Sequence, residues 1–179
     1  MCSDLEEQEN ELLALESIYS NDEDVLRFDR KPLPHPTDGF YFEGQIAVFC
    51  SLQNEAKLQV QARHQNKVGR TSVQHLPAVY LCFCLPTDYP STSMPQFSLK
   101  SVWLSAETID SLCSDLVDCW RHNCGMPVLF SWSQLLQELL PSTLPDILDL
   151  DLLCSEGASG KVGTVWKWKL YVSYSTKET

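Results

Sequence analysis

The chain has 179 residues, which suits one domain of about 100–200 residues with a tail, and its 44% apolar and 10% aromatic content supports a packed core rather than wholesale disorder. Thirteen basic residues against 24 acidic ones give a net charge of −11, which speaks against a nucleic-acid surface, because phosphate neutralisation needs a basic stripe. No apolar run approaches the ~20 residues of a membrane span, and the acidic opening Met1–Glu11 does not read as a signal peptide. The expectation is a soluble cytoplasmic and nuclear protein with no nucleic-acid or membrane partner.

The eight cysteines form no C-x-x-C pair, so a zinc site is not indicated. Disulfides remain an alternative, but without a secretory leader the buried-thiol reading is preferred. Cys82 and Cys84 would share one face of a strand in the apolar run Ala78–Leu85.

The first predicted element is a helix. Ser3-Asp4-Leu5-Glu6 has capping-box form, and Leu5, Leu12, Leu15 and Tyr19 fall on one stripe with Ile18 beside it. Glu6, Glu7, Glu9, Glu11 and Glu16 are assigned to the other face. Nine acids and no Lys or Arg lie between residues 1 and 24. That run is either a solvated face or an acidic docking face for a basic partner. Asn21–Gly39, with Pro32, Pro34 and Pro36, reads as an extended connector.

Four strands are predicted next: Tyr41–Leu52, with Phe42, Ile46, Val48 and Cys50 on one parity; Lys57–Arg63; Ala78–Leu85; and Gln96–Lys100. His64–Gln74 reads as a loop that could hold a weak strand. A second helix follows Ser105 as N-cap, with Leu104 and Ile109 placed as a hydrophobic staple. Its apolar stripe is Ile109, Leu112, Leu116, Cys119 and Trp120, opposite Glu107, Asp110, Ser114 and Asp118. Asn123-Cys124-Gly125 ends it. Pro127 can open a third helix, whose buried side would be Val128, Leu129, Trp132, Leu135, Leu136 and Leu139 and which Pro141 stops. The order implies an α+β fold, a four-stranded antiparallel meander with three helices on one face.

The end of the chain changes character. Of the 13 basic and 24 acidic residues, four Lys and one Glu fall in Gly157–Thr179, leaving nine and 23 before it. Gly157–Gly163 has the composition of a flexible connector, and Trp166, Trp168, Tyr171 and Tyr174 follow. This segment reads as a fifth strand, a docking segment, a membrane or nucleic-acid strip, or, preferably, a tail unrelated to the domain. The boundaries are therefore 1–145 for the domain and 146–179 for linker and tail.

Between the third and fourth strands stands Asp88-Tyr89-Pro90-Ser91-Thr92-Ser93-Met94-Pro95. Two prolines fix φ and withhold two backbone donors, so this stretch must fold into successive turns. Tyr89 can pack its ring there and aim its hydroxyl at a turn carbonyl.

With Glu11-Leu12-Leu13-Ala14-Leu15-Glu16-Ser17-Ile18-Tyr19 at the start and Tyr89, Pro90 and Pro95 in the middle, residues 5–145 resemble the RWD domain. Within it they look most similar to the RWD domain that opens RING-between-RING ubiquitin ligases. The resemblance implies an open sandwich related to ubiquitin-conjugating enzymes, used for docking proteins. Partners it implies are a ribosome-bound stress scaffold, transcription factors or a nuclear receptor. The ligases' zinc modules are missing, which suggests a non-catalytic short form or fragment, or a decoy. A stand-alone adaptor of the stress scaffold is the alternative.

A conjugating enzyme proper would need a reactive Cys near a His-Pro-Asn element downstream of the Tyr-Pro turn. The one His-Pro here is His35-Pro36-Thr37, far upstream. No catalytic residue and no cofactor is expected. The acids expected to meet a basic partner are Glu9, Glu11, Glu107, Asp110 and Asp118.

Overall fold

The computed structural model describes residues 3–20, 22–33, 39–50, 58–64, 67–73, 76–144 and 147–149; the tail from residue 150 lies outside them. Helix α1 (Asp4–Ile18) begins where expected, with the Ser3 hydroxyl accepting from the Glu6 amide at 3.3 Å. It is followed by strands β1 (Leu26–Pro32), β2 (Phe40–Val48), β3 (Leu58–His64), β4 (Lys67–Val73), β5 (Val79–Leu85) and β6 (Gln96–Lys100). Helices α2 (Ala106–His122) and α3 (Leu129–Leu139), a 3-10 turn (Leu140–Thr143) and a short strand β7 (Ile147–Asp149) complete the order.

The main sheet has four antiparallel strands in the order β1-β2-β5-β6. The α+β expectation therefore stands, but two of its parts change. The presumed connector Asn21–Gly39 contains β1, paired with β2 from Leu26 opposite Ile46 to Pro32 opposite Phe40. Its sequence hid it because Arg27, Asp29, Arg30 and Lys31 interrupt the apolar pattern. Such charge is what an edge strand with a wet face carries, and Pro32 closes it where no ladder continues. Lys57–Arg63, in turn, is not a strand of this sheet. β3 forms a hairpin with β4, in the segment read as a loop that could hold a weak strand, and pairs in parallel with β7 in a second sheet. Alternation reveals that a segment is a strand, but not which strand it pairs with.

The core lies on one face of the main sheet. Phe42, Ile46, Val48, Val79, Leu81, Phe83, Leu85 and Leu99 are buried there with Leu12 and Leu15 of α1, Leu112, Leu116 and Trp120 of α2, and Leu129, Trp132 and Leu136 of α3. Cys50 joins them, as the parity of β2 predicts. In α2 the Ser105 cap is formed, its hydroxyl accepting from the Thr108 amide at 3.2 Å. Pro127 does not open α3. The N-cap is Val128, so the proline stands one residue outside the helix.

Candidate docking site and the polar knot beneath it

The predicted stripe of α1 is only half right. Leu12 and Leu15 are buried, but Leu5 and Ile18 are exposed, and Gln8 and Glu11 take the inward places. Positions 8, 11, 12, 15 and 19 form one face of a helix at its natural spacing, and two of them are polar. The Gln8 amide donates from Nε2 to the carbonyls of Pro86 at 2.8 Å and Tyr89 at 2.7 Å. It thereby satisfies two acceptors that the double-proline corner cannot pair in a sheet.

Glu11 does more. Its Oε2 accepts from the Tyr89 hydroxyl at 2.8 Å, and its Oε1 accepts from the Leu129 amide at 2.7 Å. The same hydroxyl accepts from the Val128 amide at 2.7 Å. Val128 offers no side-chain cap to α3, so this carboxylate, 118 residues away in sequence, supplies the missing acceptor. It also stands against the positive end of α3, which favours whatever negative charge it carries. Burial pushes the Glu11 carboxyl up from 4.5 to about 7, while the bonds from Tyr89 and Leu129 pull the other way. Burial and the neighbouring Glu11 charge push the Tyr89 phenol far upward, so it stays a donor. A second link, from the Tyr19 hydroxyl to Ser133 Oγ at 2.8 Å, ties the end of α1 to α3.

The corner itself runs through successive turns. The amides of Thr92 and Ser93 both donate to the Asp88 carbonyl, at 2.9 and 3.2 Å, and Ser91 Oγ donates to Asp4 Oδ2 at 2.8 Å. Tyr89, Pro90 and Pro95 are buried, and the Tyr89–Pro90 peptide is cis. The tyrosine hydroxyl meets a carboxylate rather than the turn carbonyl anticipated for it. Tyr89→Phe should therefore leave the Val128 amide without its acceptor and Glu11 without one donor. A loss of about 2 kcal/mol in chemical denaturation is expected. A variant as stable as the parent would show that the knot carries no stability.

The acids predicted for docking separate into different settings. Glu11 is only 8% exposed and fully engaged, so it is corrected from a surface contact to a structural group. Glu9 pairs with Arg30 of β1 at 2.6 Å. Glu107, Asp110 and Asp118 all lie exposed on α2, and Asp118 pairs with Arg121 at 2.8 Å.

Between α2 and α3 runs a groove that sequence reasoning did not find. One cleft, of about 590 Å³, is lined by apolar Cys119, Phe130, Leu135 and Leu139 together with acidic Asp115, Asp118 and Glu138, each helix contributing both kinds. A second, of about 350 Å³, continues it past Asp115 and Leu139 to Glu107 and Ser142. The expected inward residues Leu135 and Leu139 are only half-buried because they line this groove. Glu107 and Asp118 thus border one groove with Asp115 and Glu138, which were not singled out. Leu135 and Leu139, one turn apart at one edge of the apolar arc of α3, were the available signal.

Burial raises the thiols of Cys50, Cys84, Cys113 and Cys119 away from the thiolate. Asn123 lies beside Cys119, but its Nδ2 donates to the Cys119 carbonyl at 2.8 Å and reaches the sulfur only at 3.8 Å, as a helix-end cap. Cys124 is exposed and donates to the Arg121 carbonyl at 3.4 Å. Among the described residues no group of His, Cys, Asp and Glu could hold a metal ion.

With this architecture in view, the family model described as RWD domain matches residues 6–140. The chain belongs to the RWD domain family. Its α+β fold is that of the solution structure of the RWD domain of mouse GCN2, with a TM-score of 0.53 and 23% identity over 79% of this chain and 88% of that one. The chain is 39% identical over 138 residues to the zebrafish (Danio rerio) E3 ubiquitin-protein ligase RNF14, covering 77% of this chain and 27% of the ligase. It is also 41% identical over 56 residues to the Caenorhabditis elegans Protein IMPACT homolog, 31% of this chain and 22% of that protein. The chain spans about a quarter of the length of the ligase relatives it matches. RWD domains are non-catalytic modules that mediate protein–protein interaction.

Proposed function

We propose that this RWD domain docks a basic protein partner through the acidic α2 surface and the groove beside it. It serves as the docking part of a RING-between-RING ubiquitin ligase, as a short form or fragment. In that setting it takes part in ubiquitin-dependent regulation of translation stress and transcription, in the cytoplasm and the nucleus. Residues 1–145 form the docking unit, and 146–179 follow as linker and tail, of which Ile147–Asp149 pair with β3.

The observation that carries the docking reading is the row Glu107, Asp110, Asp115 and Asp118, exposed along one helix that borders an apolar cleft. Acidic rims steer a basic partner and set its register, while apolar floors hold it. The likeness to RNF14 supports the ligase setting. The likeness to the IMPACT homolog favours a second reading, a stand-alone adaptor of a ribosome-bound stress scaffold.

The test is affinity capture from a ribosome-containing extract with the full chain and with Glu107→Lys/Asp110→Lys. The double variant is expected to capture less, and what it retains should be less sensitive to salt, since screening acts on the charges removed. An unchanged salt profile would place the docking face elsewhere. Recovery of the scaffold without ligase-pathway or transcription proteins would favour the adaptor reading.

A further inference from the structure

We propose that the groove between α2 and α3 is occupied in cis by the chain's own basic aromatic tail, residues 164–177. The inference goes beyond docking as such, and no partner protein enters its test.

The groove and the tail match in two independent properties. The first is charge. Glu107, Asp115 and Glu138 line the groove, and none has an ion-pair partner among the described residues. The tail holds four Lys against one Glu in a chain that otherwise carries nine basic and 23 acidic residues. The second is apolar surface. Phe130 at the groove is 41% exposed and is joined by half-buried Cys119, Leu135 and Leu139. Trp166 and Trp168 alternate with Lys167 and Lys169. In an extended segment alternate residues face opposite ways, so the indoles can share the floor while the four-carbon lysine stems bend to the rims.

Reach is not limiting. The described chain leaves the helices at Ser142 and Thr143, which themselves line the groove. From Asp149, where β7 ends, to Trp166 are 17 residues, able to span up to ~55 Å when extended, against a groove no longer than α2, about 25 Å. A tether of this kind raises the local concentration of the tail to the order of millimolar, so a weak intrinsic affinity is enough. The tail also lies beyond residue 140, where the RWD match ends, so its sequence is not dictated by the fold it would cover.

The test couples lysines to carboxylates in the dilute full chain with a zero-length carbodiimide reagent and maps the joined peptides. Lys167 or Lys169 joined to Asp115, Glu138 or Glu107 within the monomer is expected. The full-chain variant Trp166→Ser/Trp168→Ser should lose these couplings while its melting temperature stays that of the parent. Three results would overturn the proposal. Coupling confined to a dimer would mean that a second copy fills the groove. Coupling spread evenly over the α1 acids would mean diffuse attraction without a seat. Coupling that survives loss of both tryptophans would mean that the apolar floor plays no part.

Discussion

Glu11→Ala is expected to lower the unfolding free energy by about 3 kcal/mol, roughly 10 °C in melting temperature. The change removes the acceptor of the Leu129 amide at 2.7 Å and of the Tyr89 hydroxyl at 2.8 Å, both in a site closed to water. A buried donor stripped of its acceptor loses the full cost of its desolvation, about 1–3 kcal/mol each. The side chain also spans three elements, so its loss should loosen the start of α3 and the Tyr89–Pro95 corner together. A melt within a degree of the parent would show that the carboxylate is a bystander.

The same residue gives a signature in pH. Its folded value of about 7 lies above the 4.5 of an unburied carboxyl. The folded chain therefore holds the Glu11 proton more tightly than the unfolded chain. The stabilisation from this group is full below pH 4.5 and is lost as pH rises through about 7. Glu11→Gln cannot ionise and lacks this slope. Between pH 4.5 and 7.5 the stability difference should move by about 3 kcal/mol in favour of the glutamine variant. Parallel stability profiles for the two proteins would refute the burial of the charge.

Gly44→Ala is the second large effect. Gly44 sits in the middle of β2, opposite Phe28 on β1 and Phe83 on β5. A Cβ placed there would stand 2.5 Å from the Arg27 carbonyl oxygen, 2.6 Å from Phe28 Cβ and 2.7 Å from Phe83 Cζ. The first of these is backbone in the neighbouring strand and cannot swing aside, so β1 must move away from β2. A loss of about 3 kcal/mol is expected, at the upper end for overpacking. Urea unfolding read by tryptophan emission measures it. A midpoint unchanged from the parent would mean that the two rings do not close over the glycine. Gly125→Ala makes a useful contrast, since its φ of +83° strains a side chain although nothing lies within 4 Å.

The helices were legible because each is specified locally. Ser3 and Ser105 cap through hydroxyls that reach amides three residues on, and Leu112, Leu116 and Trp120 repeat with the helical turn. The double-proline corner was legible because a chain without two amide donors has few paths. Its partners were not. Glu11 lies at the helical spacing of Leu12 and Leu15, yet its charge assigns it to water unless a distant hydroxyl and amide are known to wait for it. The groove was hidden for a related reason: Leu135 and Leu139 read as core until the spacing of two helices leaves them half covered.

By itself, then, the sequence determined the α+β class, the three helices with the caps of the first two, the corner at Tyr89–Pro95 and the abrupt reversal of charge in the tail. Each follows from interactions within about four residues or from counting charges. Only the tertiary structure decided that β1 pairs with β2, that β3 leaves the main sheet for β4 and β7, and that one acid of α1 turns inward while those of α2 stay in water. Strand pairing and the burial of a charge depend on what another part of the chain brings near. A glutamate is stable in the core only where Tyr89 and the open end of α3 converge on it.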